Sequence, residues 1–204
     1  MLDQVLEGRL NVVQGSDGIT RRAFSAEDVR RMLEAGIMNE DEPFELIDGE
    51  LVFMNAQGFA HDRIKTALAR KLGRFLPDSY FVGADVSVQL STRNIVQPDL
   101  VVGPDSAVVQ TPEGFLTIPA ADIMLIVEVA ATSLSVDRGR KASLYAREGV
   151  SEYWIIDAKS RRGWMHRDPA PYGFQSITAV GETDELRPAA AGLSGFAIRI
   201  ADLG

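Results

Sequence analysis

Two acidic residues stand in stretches of sequence that otherwise look like buried strands. Asp99 directly precedes the apolar run 100–102, and Glu128 interrupts the apolar run 123–129. A carboxylate in such surroundings loses its hydration unless it is protonated, hydrogen-bonded or paired with a cation. Carboxylate oxygens are ligands that suit hard divalent ions such as Mg²⁺ and Mn²⁺. The two acids together therefore indicate a cation site, whereas a salt bridge to an arginine would explain either one alone.

Other familiar catalytic arrangements are absent from the sequence. The 204 residues include no cysteine, which excludes disulfides, thiolate metal sites and cysteine nucleophiles. Two histidines are too few for a histidine-rich metal site, and neither a Gly-rich phosphate-binding loop nor a Gly-x-Ser-x-Gly motif is present. The carboxylates are therefore the strongest candidates for chemistry.

The composition is that of an ordinary globular protein. Hydrophobic residues make up 46% of the chain and charged residues 25%, and we predict an N-terminal extension over 1–19 and a single domain over 20–204. The longest apolar run is far shorter than the roughly 20 residues that span a bilayer, and residues 1–10 lack the basic start of a signal peptide. These features predict a soluble cytoplasmic protein without a membrane partner.

The charge of the protein is unevenly distributed along the chain. The net charge of −8 argues against a polyanionic partner. Basic residues are nevertheless concentrated in segments 61–74 and 138–167, and either segment could bind phosphate. Solvated helix faces are the simpler interpretation of both. Charge therefore leaves nucleic acid open as a partner without supporting it.

The first half of the chain carries clear signals for two helices and a hairpin. Ser25 and Asp28 are typical of a helix start, and the helix should end at Gly36. Asp48-Gly49 between the apolar runs 44–47 and 50–54 predicts a hairpin with a type I′ turn. A second helix is expected from about His61 to the residue before Pro77.

The second half of the chain is richer in strands. Segments 80–90, 96–102 and 123–130 contain many β-branched residues, and they are followed by a helix at about 138–148 and a strand at 153–157. This last strand shows little alternation of apolar and polar residues, which predicts burial on both of its faces. Further antiparallel strands are expected at 163–167, 174–180 and 196–200. The core order is therefore helix, three strands, helix, strand, which predicts an α/β (α+β) fold with a mixed sheet.

Five short motifs follow one another in this frame. They read FELIDGEL at 44–51, QPDLVV at 97–102, IVEV at 126–129, DRGRK at 137–141 and EYWIID at 152–157. In this order and spacing they resemble the Uma-two family of restriction endonucleases, which is placed in the PD-(D/E)XK nuclease superfamily. The resemblance covers about residues 20–170.

The resemblance implies a mechanism and a set of site residues. Asp99, Glu128 and the backbone carbonyl of Val129 would hold a Mg²⁺ or Mn²⁺ ion. The ion would polarise the scissile phosphate of DNA and lower the pKa of a bound water, which a lysine would position or activate. The implied activity is metal-dependent endonucleolytic hydrolysis of phosphodiester bonds, as expected of a bacterial restriction-type enzyme.

The chain departs from the superfamily pattern at its lysine. The lysine expected two residues after Glu128 is Ala130 here. Lys141 shares a helix face with Leu144 and Tyr145, so the helix should direct its ammonium toward the sheet. We therefore assign the missing lysine's catalytic role to Lys141, the alternative being an ordinary surface lysine.

Five further residues are candidates for the same site. The second helix lacks the glutamate that nucleases of this fold often place there, and Glu45 could replace it as a metal ligand, as could Glu50. A solvated hairpin position is the simpler interpretation of both glutamates. The candidate contacts to substrate phosphate are the helix-start histidine, which is more simply a surface residue, and two arginines of the third helix: His61, Arg138 and Arg140.

Alternatives of other classes stay open at this point. A non-catalytic binding or assembly module that keeps the nuclease fold would suit the negative net charge, and a metal-dependent hydrolase of a small phosphate ester would use the same acids. Asp157 could close the site, although a turn at 157–160 explains it equally well. Cleavage of both strands of a duplex would suit a two-fold homodimer, but no segment identifies an interface.

Overall fold

A computed structural model describes residues 11–14, 18–39, 41–54 and 56–204 of the chain. Most of the N-terminal extension expected over 1–19 lies outside the described residues, as does the segment 1–10. No helix in the described part of the chain is long and apolar enough to cross a membrane.

The helices begin and end close to the expected residues. Ser25 caps the first helix by accepting from the Asp28 N–H, and the Asp28 carboxylate accepts from the Ser25 N–H in return. The third helix is longer than expected and contains a wide π-helical stretch. The helices are α1 (Ala26–Glu34), α2 (Phe59–Phe75), α3 (Leu134–Val136), the π-helical stretch (Asp137–Lys141) and α4 (Ala142–Glu148), with 3₁₀ turns at Asp105–Ala107, Ala120–Asp122, Ala191–Leu193 and Ile200–Leu203.

A six-stranded mixed sheet forms the centre of the fold. Its neighbouring strands are antiparallel except for one parallel pair in the middle, formed by Leu125–Ala130 and Glu152–Asp157. In spatial order its strands are β14 (Gly173–Val180), β13 (Arg162–Ala170), β12 (Glu152–Asp157), β11 (Leu125–Ala130), β8 (Leu100–Pro104) and β5 (Tyr80–Ala84). Along the chain, α2 precedes β5, β8 and β11, and α3–α4 precede β12, which is the expected order of helix, three strands, helix, strand.

A second six-stranded sheet lies beside the central one. In spatial order its strands are β4 (Glu50–Phe53), β3 (Phe44–Ile47), β7 (Asn94–Val96), β6 (Val88–Ser91), β10 (Leu116–Thr117) and β9 (Val109–Gln110). Two small ribbons complete the described part of the chain: β1 (Val12–Gln14) with β2 (Thr20–Arg22), and β15 (Glu185–Leu186) with β16 (Ile198–Arg199).

The existence of this second sheet corrects two expected strands. Segments 80–90 and 96–102 are each divided, with one half in the central sheet and the other half in the second sheet. The chain leaves the central sheet after Ala84 and returns to it at Leu100. Pro98, which has no N–H to donate to a ladder, lies at the returning corner. Alternation of apolar residues does not reveal such a change of sheet.

Three apolar clusters hold the layers together. The first joins α2 to one face of the central sheet through residues such as Ile64, Leu68 and Val127. The second fills the space between the other face, the second sheet and α4, and includes Ile47, Ile126, Ala130, Leu144 and Tyr145. The third places α1 on the outer face of the second sheet. Alternation along β11 therefore directs Glu128 toward the second sheet and α4.

Two predicted local features are confirmed. Asp48 and Gly49 both have positive φ angles, 54° and 81°, as a type I′ turn requires. Tyr153 and Trp154 on β12 are fully buried, as expected of a strand that is covered on both faces.

A buried histidine in the central sheet should make stability depend on pH. His166 on β13 is 2% exposed, packs between Tyr153 and Phe174, and has no hydrogen-bond partner for its Nδ1 among the described residues. Burial lowers its pKa, and the nearby Arg138 acts in the same direction. Below about pH 6.5, the ordinary pKa of histidine, His166 is protonated in the unfolded chain but stays neutral in the folded chain until the pH falls further.

We therefore expect His166 to contribute a loss of stability as the pH falls from 7 to 5. The variant His166→Phe removes the titrating ring and keeps an aromatic group of similar size. Urea unfolding of both proteins at pH 7 and pH 5 should show a smaller loss in the variant. An equal loss in the two proteins would show that His166 does not titrate in this range.

Candidate functional site

Asp99 and Glu128 lie next to each other at one end of the central sheet. Leu100 on β8 pairs with Val127 on β11 in antiparallel register, so the residue before Leu100 stands opposite the residue after Val127. Asp99 is 3% exposed and Glu128 is 6% exposed. Both line one cavity of about 190 Å³, which opens between the central sheet, the second sheet and the start of α2.

Three neighbours hold the Asp99 carboxylate. The Val129 backbone N–H donates to Oδ2 at 2.6 Å, the His61 Nε2 lies 2.9 Å from Oδ1, and the Gln57 amide donates to Oδ1 at 3.4 Å. His61 is in the first turn of α2 and is 3% exposed, so its interpretation as a surface residue is wrong. Burial tends to lower the His61 pKa, but the bond and charge of Asp99 outweigh it and raise the pKa.

Lys141 bridges two carboxylates on the other side of the cavity. Its Nζ lies 2.9 Å from Oε1 of Glu128 and 2.9 Å from Oε1 of Glu45, and the Tyr145 hydroxyl donates to the same Glu128 oxygen at 3.0 Å. The Lys141 side chain is 7% exposed. Burial tends to lower the Lys141 pKa, but Glu128 and Glu45 raise it above the ordinary value, so the group stays an ammonium.

Glu45 is a buried part of this cavity and not a solvated hairpin residue. It is 2% exposed on β3, and its Oε1 also accepts from the Gln97 backbone N–H at 2.9 Å. Alternation along β3 places Glu45 on the same face as Ile47, which packs against the central sheet, while Leu46 faces α1. Glu45 therefore brings the second sheet to the acids of the central sheet.

Negative charge exceeds positive charge in the cavity. Burial raises the pKa of Glu128 well above its usual range, Lys141 opposes this, and Asp99, Glu45 and Asp137 raise it further. Asp137, in the π-helical stretch, is 1% exposed and accepts from the Ser133 hydroxyl at 2.6 Å. Burial raises the pKa of Asp137 as well.

Four polar residues around the site could not be recognised from the sequence. Asp137 belongs to the DRGRK motif at 137–141, but nothing in its spacing distinguishes it from a surface acid. No local pattern indicates that the hydroxyl of Tyr145 bonds to Glu128. Lys65 donates to Asp85 at 2.8 Å and to the side-chain oxygen of Gln57 at 3.0 Å, so Gln57 contacts both Lys65 and Asp99. These contacts join residues far apart in sequence, and no local pattern indicates them.

Two arginines that were candidate phosphate contacts do not lie in the cavity. The guanidinium of Arg138 lies 4.5 Å from the centre of the Trp164 ring. Arg140 donates to the Ile47 carbonyl at 2.8 Å and to Glu50 at 2.7 Å, which also keeps Glu50 away from the site. Neighbouring groups therefore account for both arginines and for Glu50.

Asp157 is held by the turn that follows β12. It accepts from the Lys159 N–H at 3.0 Å and from the Ser160 hydroxyl at 2.5 Å. It does not line the cavity. The turn interpretation of Asp157 is therefore the correct one.

The donor atoms of the cavity fit a hard cation chemically. Glu45, Asp99 and Glu128 supply carboxylate oxygens, and their charge exceeds that of Lys141. As they stand, however, no three Asp, Glu or His side chains in the described part of the chain are grouped to hold a metal ion. The ammonium of Lys141 holds one oxygen each of Glu45 and Glu128, so a metal ion would share this cavity with it.

The fold and the adjacent acids Asp99 and Glu128 define a restriction-endonuclease-like protein. A crystal structure of a putative nuclease belonging to DUF820 from Anabaena variabilis ATCC 29413 superposes with a TM-score of 0.68 at 15% identity, over 88% of this chain and 97% of that chain. Residues 26–201 match the model of the family Uma2, described as "Putative restriction endonuclease". The chain belongs to this family.

One further solved structure is similar to part of the chain. NucC from E. coli MS115-1, in its apo form, is similar with a TM-score of 0.30 and 21% identity, over 48% of this chain and 50% of that chain. No curated protein is significantly similar to the chain in sequence.

Proposed function

We propose that the protein is a metal-dependent endonuclease of the PD-(D/E)XK type that hydrolyses phosphodiester bonds in DNA. One observation carries the proposal: Asp99 and Glu128, adjacent across the central sheet, line one buried cavity with Lys141, whose ammonium lies beside Glu128. Membership of a family described as restriction endonucleases supports the nuclease class. A cytoplasmic location and a two-fold dimer acting on both strands of a duplex are parts of the same proposal.

In this proposal the acids hold the metal ion. Asp99, Glu128 and the backbone carbonyl of Val129 are the ligands of a Mg²⁺ or Mn²⁺ ion, and Glu45 is the additional acid. When bound, the ion supplies positive charge to the scissile phosphate and lowers the pKa of a bound water. His61, fixed by its bond to Asp99, keeps that carboxylate turned toward the cavity.

Lys141 supplies the second charge of the site. Its ammonium lies beside Glu128, where it can orient the attacking water and stabilise charge on the phosphate. Tyr145 donates to the same Glu128 oxygen and so fixes the carboxylate from the helix side. The helix thus provides at Glu128 the positive group that Ala130 on the strand lacks.

Titration calorimetry with Mg²⁺ or Mn²⁺, with and without a duplex oligonucleotide, tests the metal site directly. We expect binding of a divalent ion that strengthens in the presence of DNA, together with metal-dependent cutting of plasmid or oligonucleotide DNA. Neither metal binding nor cutting over a panel of sequences would reject the endonuclease.

A non-catalytic module with the same fold is the second candidate. The observation that favours it is the ion pair between Lys141 and Glu128, which offsets part of the buried negative charge without a metal ion. This candidate predicts that neither Mg²⁺ nor Mn²⁺ binds and that Lys141 contributes only to stability. The calorimetric experiment therefore distinguishes the two.

A further inference from the structure

The outer face of α2 carries a line of exposed basic residues that the proposed site does not use. Four residues lie on one side of the helix because they follow one another at spacings of four, seven and four residues: Phe59, Arg63, Arg70 and Arg74. All four are exposed, and Phe59 is 78% exposed. Lys65, which belongs to the same basic segment of the sequence, points the other way and is bonded to Asp85.

The three arginines of this line have no acidic partner within 4.0 Å among the described residues. Arginines elsewhere on the surface are mostly paired, as Arg30 is with Glu27, Arg147 with Asp48 and Arg199 with Asp202. In a protein of net charge −8, three arginines on one helix face that lack an acidic partner in the described part of the chain form a local positive surface.

A groove of about 580 Å³ lies along this face, and we call it the α2 groove. Phe59, Arg63, Thr66 and Arg70 line one side, and the C-terminal residues 202–204 line the other. Two acids also face the groove, but each is already paired. The Asp62 carboxylate lies 3.2 Å from His61 and 3.5 Å from Lys65, and that of Asp202 lies 2.9 Å from Arg199.

The α2 groove begins beside the cavity of Asp99 and Glu128. In the first turn of α2, His61 faces the cavity while Phe59 and Arg63 face the groove. From Phe59 to Arg74 the helix rises about 22 Å, since each residue contributes about 1.5 Å. One strand of B-form DNA carries a phosphate every 3.4 Å or so along its axis, so this length spans about six phosphates.

We propose that the α2 groove binds the phosphodiester backbone of a DNA strand as it leaves the cavity. Arg63 and Arg70 contact phosphates in the groove, and Arg74 contacts the backbone one helical turn beyond it. An unpaired base stacks on the ring of Phe59. Positive side chains that follow the backbone, together with an exposed aromatic ring, are the features that bind single strands without sequence preference. The inference rests on the proposed function in that DNA is the ligand of both surfaces.

The salt dependence of DNA binding tests the arginines. The probes are a fluorescent 20-nucleotide single strand and the corresponding blunt duplex, in EDTA so that no cutting occurs. Each phosphate contact contributes about 0.7 to 0.9 to the slope of log K against log salt. The triple variant Arg63→Ala/Arg70→Ala/Arg74→Ala should therefore lose about 2 to 3 units of slope.

Two single variants separate the groove from general surface charge. Arg162 on β13 is also exposed and has no acidic partner among the described residues, so Arg162→Ala is matched to Arg70→Ala. Only Arg70→Ala should weaken binding. Phe59→Leu keeps an apolar side chain and should weaken binding of the single strand about fivefold or more. The salt slope and the binding of the blunt duplex should be unaffected.

The results also separate this inference from the endonuclease proposal. Full affinity and slope in the triple variant, an equal loss in Arg162→Ala, or no binding of either probe by the wild-type protein would overturn the α2 groove. Binding through the groove by a protein that takes up no metal and cuts no DNA would uphold the groove and reject the endonuclease. Unchanged melting temperatures confirm that the variants are folded.

Discussion

Replacing Lys141 with alanine should lower the rate of DNA cutting about 100-fold or more. This is the usual contribution of a positioned acid–base or orienting group to the rate. The ammonium lies 2.9 Å from Glu128, within reach of any water held there. Its loss also leaves Glu45 and Glu128 without their counter-ion, so affinity for Mn²⁺ should rise while turnover falls. Single-turnover cutting and calorimetry measure the two quantities separately.

Stability must be measured alongside, because Lys141 is part of a buried ion pair. Removing one partner of such a pair costs about 3–5 kcal/mol. Lys141→Met keeps the length of the side chain and serves as the second variant if alanine does not fold. Arg140→Ala is the matched control, since Arg140 bonds to Glu50 outside the cavity and its loss should be mild. Equal effects of the Lys141 and Arg140 variants would remove Lys141 from the mechanism.

The variants Asp99→Asn and Glu128→Gln should each abolish binding of Mg²⁺ and Mn²⁺. Each replaces a charged oxygen donor with a neutral amide, which is a poor ligand for a hard cation. Calorimetry with Mn²⁺ measures the loss, and thermal unfolding with and without the ion provides a second readout. The wild-type protein should be stabilised by the ion and neither variant should be.

The two variants should differ in stability without metal. Glu128→Gln removes a carboxyl group whose pKa is raised by burial and further raised by the neighbouring acids Asp99, Glu45 and Asp137. Because the charged form of Glu128 is unfavourable there, we expect little loss of stability or a gain. Asp99→Asn should be less stable, because the carboxylate accepts from both the Val129 N–H and His61. Glu50→Gln, outside the cavity, is the control and should bind metal normally. Full metal affinity in both site variants would leave these acids as structural partners only.

The elements that depend on local chemistry could be predicted from the sequence. The cap at Ser25, the turn at Asp48-Gly49 and the buried strand β12 each follow from residues close together in the chain. The proximity of Asp99 and Glu128 was expected from one acid directly before an apolar strand and another inside an apolar strand. An acidic residue in an otherwise apolar segment can be recognised from the sequence without any knowledge of the fold.

The features that depend on contacts between distant elements could not be predicted. His61 looks like a surface residue because the start of a helix is usually solvated, and only the corner at Asp99 buries it. Glu45 looks solvated because a hairpin usually has one wet face, whereas here both faces of the hairpin are covered by apolar clusters. Lys65 lies in a basic segment, and nothing local shows that it alone turns inward.

Because the acids of the cavity belong to two different sheets, the distance between them depends on how the two sheets pack against each other. Asp99 and Glu128 belong to the central sheet and Glu45 to the second sheet, and the short connections around 84–88 and 96–100 join the two sheets. Their spacing is set by the apolar layer between them, which contains Ile47, Val96 and Ile118. Changing the volume of that layer would therefore alter the gap between the acids. In the proposed endonuclease, this would change the selectivity for metal ions without replacing any ligand.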